Sequence, residues 1–500
     1  MLRQATVENG VLQGVRSGDP RITVYRGVPF AAPPVGDLRW RAPRPARDWE
    51  GVYKADTFAP IPMQEPPGLD PDNFYSFELH PATDLEMSED CLYLNVWTPA
   101  KSADEKLPVM VWIHGGAYHS GYSYEMEFDG DAIGRRGVIL VTLAYRLGAF
   151  GFFAHPEITA EDPNAIPTNF GLLDQKTGIE WVKRNIAAFG GDPDNITIFG
   201  QSAGAGSVAA HLASPLTEGL FQRAIVESGG GLLNRPGDTP TLADAEEIGK
   251  ALFESLGVAS LAEARRLDAQ TVQAASREGR VNMVWRPVVD GKYVVEPPMD
   301  AIRRDRNHEV SLMIGHTANE FLFGPKATTL AEFEAWAREH FGHHADRYVA
   351  LCASESGDVA EMCAKGMFNA SEAGDLIWCE TNVALGRGPI YCYSFDHDIP
   401  GDDNPGAYHS SDLWFEFGTV SRCWRPFVGK HYDLSRLVVN YWTNFARTGD
   451  PNGPDTDGSP MPEWAPYTAD SPRVLRFGDT TGMDSGERRP LVRLLMELGL

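Results

Sequence analysis

The 500-residue chain has few cysteines, no long apolar run and a shortage of positive charge. Its six cysteines are too few for a disulfide framework, and with no Cys-x-x-Cys pair neither a zinc knuckle nor a dithiol redox site is indicated. The apolar stretches, such as 138–144, are far shorter than the ~20 residues that span a bilayer. The formal net charge of -25 repels phosphate backbones and anionic lipids. We therefore expect no nucleic-acid partner and no membrane insertion.

The N-terminal residues 1–10 also lack the apolar stretch of a signal peptide. We expect a cytoplasmic protein with reduced thiols, unless a leader has been removed from the chain. The content of 43% hydrophobic and 23% charged residues is typical of a globular protein with a large core. No linker is evident, so we predict one domain over residues 1–500 and expect a monomer.

Apolar runs of strand length alternate with stretches of helical spacing, which predicts an α/β fold with a mostly parallel sheet between helices. Residues 242–280 and 327–375 are predicted helical insertions that cover a pocket. The predicted strands are 107–113, 138–145, 196–199, 224–226, 310–314 and 389–395, and the predicted helices are 174–185 and 202–213.

A candidate nucleophile, Ser202, lies in a G-x-S-x-G segment between a predicted strand and an Ala-rich helix. A sharp strand-to-helix turn holds such a serine clear of the sheet, and Gly200 and Gly204 remove side chains that would collide across it. A bare G-x-S-x-G also occurs in ordinary small-residue turns, but the flanking strand and helix favour a nucleophile.

Acyl transfer also needs hydrogen-bond donors for the oxyanion. The strand 109–113 runs into the segment 114–118 (HGGAY), whose backbone N–H groups are predicted to join that of Ala203. Taken alone, the Gly-Gly pair is equally typical of a tight turn.

An acid and a base should follow the nucleophile in the chain. Glu320 comes shortly after the strand 310–314, and among the later histidines His397 and His409 are nearly equal candidates. The histidines at 340, 343 and 344 lack the carboxylate or thiol set of a zinc site, so we expect no metal and no cofactor.

Four further segments identify a resemblance to the type-B carboxylesterases, which include cholinesterases and bacterial p-nitrobenzyl esterases. They are 25–36 (YRGVPFAAPPVG), 88–95 (SEDCLYLN), 189–204 (FGGDPDNITIFGQSAG) and 441–453 (YWTNFARTGDPNG). The resemblance extends over nearly the whole chain and implies an α/β-hydrolase fold and hydrolysis of small-molecule esters.

Carried over residue by residue, the resemblance implies a triad of Ser202, Glu320 and His409, which favours His409 over His397. It assigns the oxyanion hole to the N–H groups of Gly116, Ala117 and Ala203. Many relatives have glycine where Ala117 stands, so we expect a negative φ at this alanine.

The resemblance also implies supporting contacts away from the substrate. It suggests that Ser228 and Asp412 form a hydrogen-bonded pair that steadies the loop of His409. The implied buried ion pairs are Arg39–Glu89 and Arg146–Asp174.

The chain departs from the family pattern in three places. Cys91 lacks the upstream cysteine with which it pairs in many secreted relatives, so no disulfide is expected there. Gln201 stands where relatives often have glutamate, which removes one negative charge near His409. Between Thr57 and Asp90 the chain has Phe74, Tyr75 and Phe77 but no tryptophan to bind a quaternary ammonium.

On the acyl side, Val281 and Met283 stand where cholinesterases have aromatic residues, which predicts room for acyl groups longer than acetyl. Trp285 and Phe321 are further candidates for the pocket, although Trp285 is slightly better suited to the core. We therefore expect a broad esterase for uncharged, medium-sized esters. The alternatives are an amidase, carbamate hydrolase or thioesterase with the same triad, and more remotely a non-catalytic binding protein of this fold.

Overall fold

The structure is a computed structural model. It describes residues 1–68, 74–79, 84–229, 239–320 and 327–499, except for the side chains of 364–369. The strands are β1 (Gln4–Val7), β2 (Gly10–Gln13), β3 (Val15–Arg16), β4 (Thr23–Pro29), β5 (Val52–Lys54), β6 (Tyr93–Thr98), β7 (Leu107–Ile113), β8 (Ile139–Leu143), β9 (Gly191–Gln201), β10 (Arg223–Glu227), β11 (Ser311–Thr317), β12 (Ile390–Phe395), β13 (Leu475–Phe477) and β14 (Thr481–Met483).

The α-helices lie between these strands and in two longer helical stretches. They are α1 (Phe74–Leu79), α2 (Asp131–Gly134), α3 (Gly148–Phe152), α4 (Pro156–Glu161), α5 (Phe170–Asn185), α6 (Ala203–Ala213), α7 (Leu242–Leu256), α8 (Leu261–Ala264), α9 (Ala269–Ala275), α10 (Pro298–Arg303), α11 (Leu330–Phe341), α12 (Ala345–Glu355), α13 (Val359–Ala384), α14 (Leu413–Glu416), α15 (Gly429–Thr448) and α16 (Pro490–Leu498).

The main sheet has the strand order β14-β13-β12-β11-β10-β9-β7-β8-β6-β4-β3 within the described chain, and β1, β2 and β5 form a small second sheet. The strands from β8 to β13 in this order are parallel, and antiparallel strands complete both edges. Near-continuous burial of the central strands, as in β7 and β8, shows that both faces are covered. The predicted α/β class with a mostly parallel sheet is confirmed.

The predicted central elements agree with the structure except at their ends. The strand predicted at 196–199 begins at Gly191, and the helix predicted at 174–185 begins at Phe170. The strand predicted to end at Tyr145 ends at Leu143. The predicted insertions contain α7 to α9 and α11 to α13.

Strand register brings the chemistry to one edge of the sheet. Gly200 pairs with Ile113, and Glu227 pairs with both Gln201 and Gly315. Because these strands are parallel, the residues that follow each of them meet at the same carboxyl-terminal edge.

No helix in the described part of the chain combines the length and the hydrophobicity that a bilayer span requires.

Candidate active site

Ser202 lies at the turn between β9 and α6, with φ 57° and ψ −121°, outside the regions that L-residues commonly occupy. A Cβ added to Gly204 would lie 2.0 Å from the carbonyl oxygen of Ile113, and one added to Gly200 would lie 2.6 Å from the same oxygen. The Ser202 N–H donates to the carbonyl of Glu227 at 2.8 Å. The two glycines therefore allow the turn to pack against β7, with Ser202 at the wall of a cavity.

The loop 114–118 follows β7 and borders the same cavity. Its residues Gly116, Ala117 and Tyr118 have φ values of 103°, 54° and 65°. The predicted negative φ at Ala117 is therefore wrong. The Gly116 carbonyl accepts the N–H groups three and four residues later, each at 2.9 Å, and this tight turn offsets the ~1–2 kcal/mol cost of a left-handed alanine.

Three backbone N–H groups near Ser202 are available to a ligand. Those of Gly116 and Ala117 donate to no acceptor within the described residues. That of Ala203 belongs to the first residue of α6, where helical N–H groups have no partner within the helix. Donors of this kind stabilise an oxyanion when they converge on it.

Glu320 and His409 form a buried pair behind Ser202, with a hydrogen bond between the Glu320 carboxylate and His409 Nδ1. Their loops are joined because Asn319 N–H donates to the Ala407 carbonyl at 2.9 Å and Ala407 N–H donates to the Asn319 side chain at 2.8 Å. A Cβ on Gly406 would lie 2.4 Å from that Asn319 oxygen, so only glycine fits there.

The electrostatic surroundings of Glu320 favour its carboxylate form. Burial alone would raise the pKa of Glu320. The charge and hydrogen bond of His409, together with the Thr317 N–H, outweigh burial and hold the pKa below its usual range. Glu320 can therefore hold the His409 ring in one orientation and stabilise its positive charge.

His397, the alternative base, lies elsewhere in the structure. Its ring is 5.0 Å from that of His431 and borders a separate cavity that does not include Ser202. His409 borders the Ser202 cavity. The geometry therefore favours His409 as the base, a choice that the residue patterns alone left undecided.

Gln201 contacts His409 at Nε2, the ring nitrogen that is not bonded to Glu320. Its amide nitrogen lies 3.1 Å from His409 Nε2. With Nδ1–H donated to Glu320, Nε2 of the neutral ring is an acceptor, so the Gln201 amide donates to it. Among the described residues, the hydrogen-bonding contact of His409 Nε2 is with Gln201 and not with the Ser202 hydroxyl.

The cavity at Ser202 has a volume of about 550 Å³. On the His409 side it is bordered by Tyr75, whose ring is 6.5 Å from that of His409. Tyr75 is one of the three aromatic residues noted where a tryptophan is absent. The lining also includes residues of α9 and of the segment that follows it, together with one residue just after the loop 114–118, namely His119, Gln273, Ser276, Arg277 and Met283.

The four predicted pocket residues have different outcomes. Met283 lines the cavity and is 61% exposed, with φ 54°. Val281 and Trp285 are buried and do not line the cavity. The Trp285 indole packs inward and donates to the Ser276 carbonyl at 3.0 Å. Phe321 lies outside the described residues.

The predicted hydrogen bond between Ser228 and Asp412 is not formed. Asp412 instead accepts the hydroxyl of Tyr393 at 3.3 Å. Ser228 lies beside Glu320 and helps to lower its pKa. Ser228 follows β10 directly and has a left-handed backbone, with φ 53°.

A group of buried acids lies beneath His409. Burial and the charge of Glu320 raise the pKa of Asp412 to about 7. Burial and the charge of Asp412 raise that of Glu227 to about 8, and burial beside Glu227 raises that of Glu416. Glu227 and Glu416 face each other, and their one donor among the described residues is the Trp442 indole, 2.8 Å from Glu227.

Buried ion pairs hold the surrounding elements. The predicted pairs Arg39–Glu89 and Arg146–Asp174 are confirmed, with closest distances of 2.6 Å and 2.7 Å. A third pair, which the sequence pattern did not predict, joins Glu78 of α1 to Arg425 at 2.9 Å. Cys91 is buried and unpaired.

The other side chains that line the cavity had no signature in the sequence. Glu125 and Glu127 are buried on its wall, and Gln64 donates to the Gly121 carbonyl at 2.9 Å. No group of three or more potential metal ligands occurs in the described ranges. Gln64 is distant in the chain from Glu125 and Glu127, so only the fold brings it to the same cavity.

Comparison with known proteins agrees with this architecture. The sequence profile of the Carboxylesterase family matches residues 2–365 and 358–493. The chain is 32% identical to fumonisin B1 esterase of Sphingopyxis macrogoltabida, over 96% of this chain and 87% of that protein. It is 33% identical to para-nitrobenzyl esterase of Bacillus subtilis, over 90% and 88%. A solved structure of PNB esterase superposes with a TM-score of 0.84 at 29% identity and covers 99% of both chains.

These matches extend along almost the full length of the chain. The expected α/β-hydrolase fold and activity class are therefore confirmed. The protein is a carboxylic ester hydrolase, and it belongs to the carboxylesterase family.

Proposed function

We propose that the protein hydrolyses carboxylic esters through an acyl-enzyme on Ser202, with His409 as general base and acid and Glu320 as its partner. The observation that supports this is that Ser202 and His409 border one cavity while His409 is hydrogen-bonded to the buried Glu320. A serine, a base and an acid that orients the base are the parts that nucleophilic acyl transfer requires.

In the first half-reaction, His409 Nε2 takes the proton of the Ser202 hydroxyl as the oxygen attacks the ester carbonyl. The Gln201 amide must first give up its contact with Nε2. The developing oxyanion accepts the N–H groups of Gly116, Ala117 and Ala203. The C–O bond to the alcohol breaks, and the alcohol leaves with the proton from His409.

In the second half-reaction, water takes the place of the alcohol. His409 removes a proton from the water as its oxygen attacks the acyl carbonyl on Ser202. The oxyanion again accepts the three backbone N–H groups. Collapse returns the proton to Ser202 and releases the carboxylic acid.

For the substrate, we propose an alcohol without a quaternary ammonium and an acyl group longer than acetyl. The aromatic residue that borders the cavity beside His409 is Tyr75, and tyrosine binds such a cation more weakly than tryptophan. Met283 also lines the cavity, and its exposed and flexible side chain can adapt to larger acyl groups.

The roles are tested by comparing three variants with the parent protein on p-nitrophenyl butyrate. Ser202→Ala and His409→Ala should each lose at least about 10³-fold in kcat with an unchanged fold, because a triad without one member retains little catalysis. His397→Ala is the matched control and should lose little. An inactive His397→Ala with an active His409→Ala would refute the assigned base.

Substrate class is tested on the parent protein. Acetyl, butyryl and hexanoyl p-nitrophenyl esters should be hydrolysed with no steep loss from acetyl to butyryl. Acetylthiocholine should have no advantage over its neutral isostere, and matched amides should be poorer substrates than the esters. A clear preference for the cationic ester would contradict the proposal.

A further inference from the structure

A second buried histidine–carboxylate pair lies next to the triad acid. His316 Nδ1 is 2.7 Å from the Asp375 carboxylate, and both residues are buried. His316 belongs to β11, and Asp375 lies on α13, which packs against that strand. Neither residue borders the Ser202 cavity. The proposed mechanism gives the pair no role.

The backbone of His316 leads directly to Glu320. The next residue, Thr317, ends β11, and its N–H donates to the Glu320 carboxylate at 3.2 Å. Two residues, Ala318 and Asn319, separate the end of the strand from Glu320. The direction of the N–H donor depends on the peptide group that joins His316 to Thr317. A displacement of His316 therefore moves a donor to the triad acid.

Main-chain hydrogen bonds hold the end of β11 within the sheet. His316 pairs with Ser394 of β12, and Gly315 pairs with Glu227 of β10. The side chains of a strand point away from the plane of the sheet, toward the elements on its faces. The bond from His316 to Asp375 therefore restrains the strand end in the direction that the neighbouring strands leave free.

Stability alone gives little reason for this pair. Buried ionic pairs often stabilise a fold no more than apolar side chains of similar volume, because both groups lose their hydration. The second oxygen of Asp375 accepts no hydrogen bond from the described residues, so the cost of burying this carboxylate is only partly offset. A hydrogen bond between charged groups fixes direction, which apolar packing does not. The pair is therefore better suited to holding a position than to adding stability.

The charges around the pair keep it in its bonded form. Burial raises the pKa of Asp375 to about 6. For His316, burial opposes protonation, but the hydrogen bond and charge of Asp375 raise the pKa above its usual range. The charges of Glu372, which Arg489 binds at 2.6 Å, and of Glu320 add to this increase. Near pH 7 Asp375 is therefore the carboxylate, and His316 Nδ1–H is the donor.

We propose that the bond between His316 and Asp375 positions the triad acid, because it holds the strand end whose last N–H group binds Glu320. The inference rests on the proposed function, since it assigns a support to one residue of that mechanism. His316 is a positioning residue that acts through Glu320 alone. The orientation of His409 depends in turn on its hydrogen bond to Glu320.

The test is a double-mutant cycle with His316→Leu and Glu320→Ala, measured on p-nitrophenyl butyrate. In the parent background, His316→Leu should lower kcat about tenfold with KM unchanged, the effect of disturbing one hydrogen bond to a charged group. Glu320→Ala should by itself lower kcat at least about 10²-fold, because the base loses its partner. In that background His316→Leu should cause no further loss, since the group through which it acts is gone.

Further variants separate the lost bond from a loss of stability, with rates compared well below each Tm. Asp375→Asn keeps an oxygen that can accept the His316 N–H and should retain most of the parent kcat. His308→Leu is the matched control, because His308 lies shortly before the other end of β11 and is bonded to the Ser214 carbonyl at 2.8 Å. It should lower Tm and leave kcat unchanged.

A combined variant covers the case in which His316→Leu does not fold. Adding Asp375→Leu removes the carboxylate that would otherwise be buried without its partner. This double variant should fold and show the same tenfold loss of kcat with KM unchanged.

The outcomes separate the two proposals. If Glu320→Ala retains the parent kcat, Glu320 is not the triad acid and the proposed mechanism fails first. If Glu320→Ala is impaired but the folded His316 variant keeps the parent kcat, or loses the same factor in both backgrounds, the positioning role is refuted and ester hydrolysis stands. An equal loss of kcat in His308→Leu would also refute it, because the effect would then follow from a general weakening of β11.

Discussion

Replacing Glu416 by glutamine tests the buried carboxyl pair that it forms with Glu227. Glu416 is 1% exposed and Glu227 is fully buried. Trp442 is the pair's only donor in the described structure, so the two carboxyl groups must retain a proton between them to avoid facing each other as anions. Glutamine keeps the shape of Glu416 and supplies a permanent N–H donor.

The effect on stability should depend on pH. The folded-state pKa of Glu227 is about 8, above its usual 4.5. Because the folded protein binds this proton more tightly than the unfolded chain does, the proton stabilises the fold fully at pH values below the pKa of the unfolded chain. This stabilisation is lost as pH rises through 8. An unsatisfied buried acceptor costs about 1–3 kcal/mol. We therefore expect Glu416→Gln to raise the free energy of unfolding by about 1–2 kcal/mol at pH 8 and by almost nothing at pH 5.

The assay is thermal unfolding of the parent and the variant at several pH values between 5 and 9. For a chain of this size, the expected gain corresponds to a Tm increase of roughly 1–2 °C at the alkaline end. Glu78→Gln is the control of opposite sign, because it removes a charge that Arg425 pairs and should lower Tm at pH 8. A gain for Glu416→Gln that is equal at pH 5 and pH 8, or a loss at both, would refute the reasoning.

Three other predictions concern the active site and the redox state of the cysteines. Gln201→Glu places a carboxylate beside His409 Nε2 and should move the acidic limb of the kcat/KM profile to higher pH, and an unmoved limb would count against this contact in solution. Gly204→Ala should abolish turnover because its Cβ meets the Ile113 carbonyl at 2.0 Å, whereas Gly388→Ala, with open space, should be active. Thiol titration after denaturation without reductant should find six free thiols, and four or fewer would reveal a disulfide.

Sequence patterns predicted the elements that carry the site. The strand before Ser202 and the helix after it are determined by local preferences, namely a β-branched run, two glycines and an Ala-rich segment. Such signals act within about ten residues of the chain. The position of Ser202 between a strand and a helix was therefore accessible before the structure, whereas the exact ends of the strands were not.

What the patterns missed depends on particular contacts, some of them local in the chain, rather than on the spacing of residue types. The left-handed φ of Ala117 follows from a turn that closes on the Gly116 carbonyl, and the inward position of Trp285 follows from its bond to Ser276. Glu416 of α14 and Glu227 of β10 are far apart in the chain and meet only in the folded protein. Contacts of this kind leave no periodic trace in the chain.

The backbone link between Asn319 and Ala407 makes the acid loop and the base loop a single unit. The segment 276–286, which contributes Ser276, Arg277 and Met283 to the cavity lining, is held by the separate bond from Trp285 to Ser276. Chemistry and substrate range are thus carried by parts of the chain that can change independently. Exchanging this segment between relatives should transfer acyl preference while the acid and base keep their alignment.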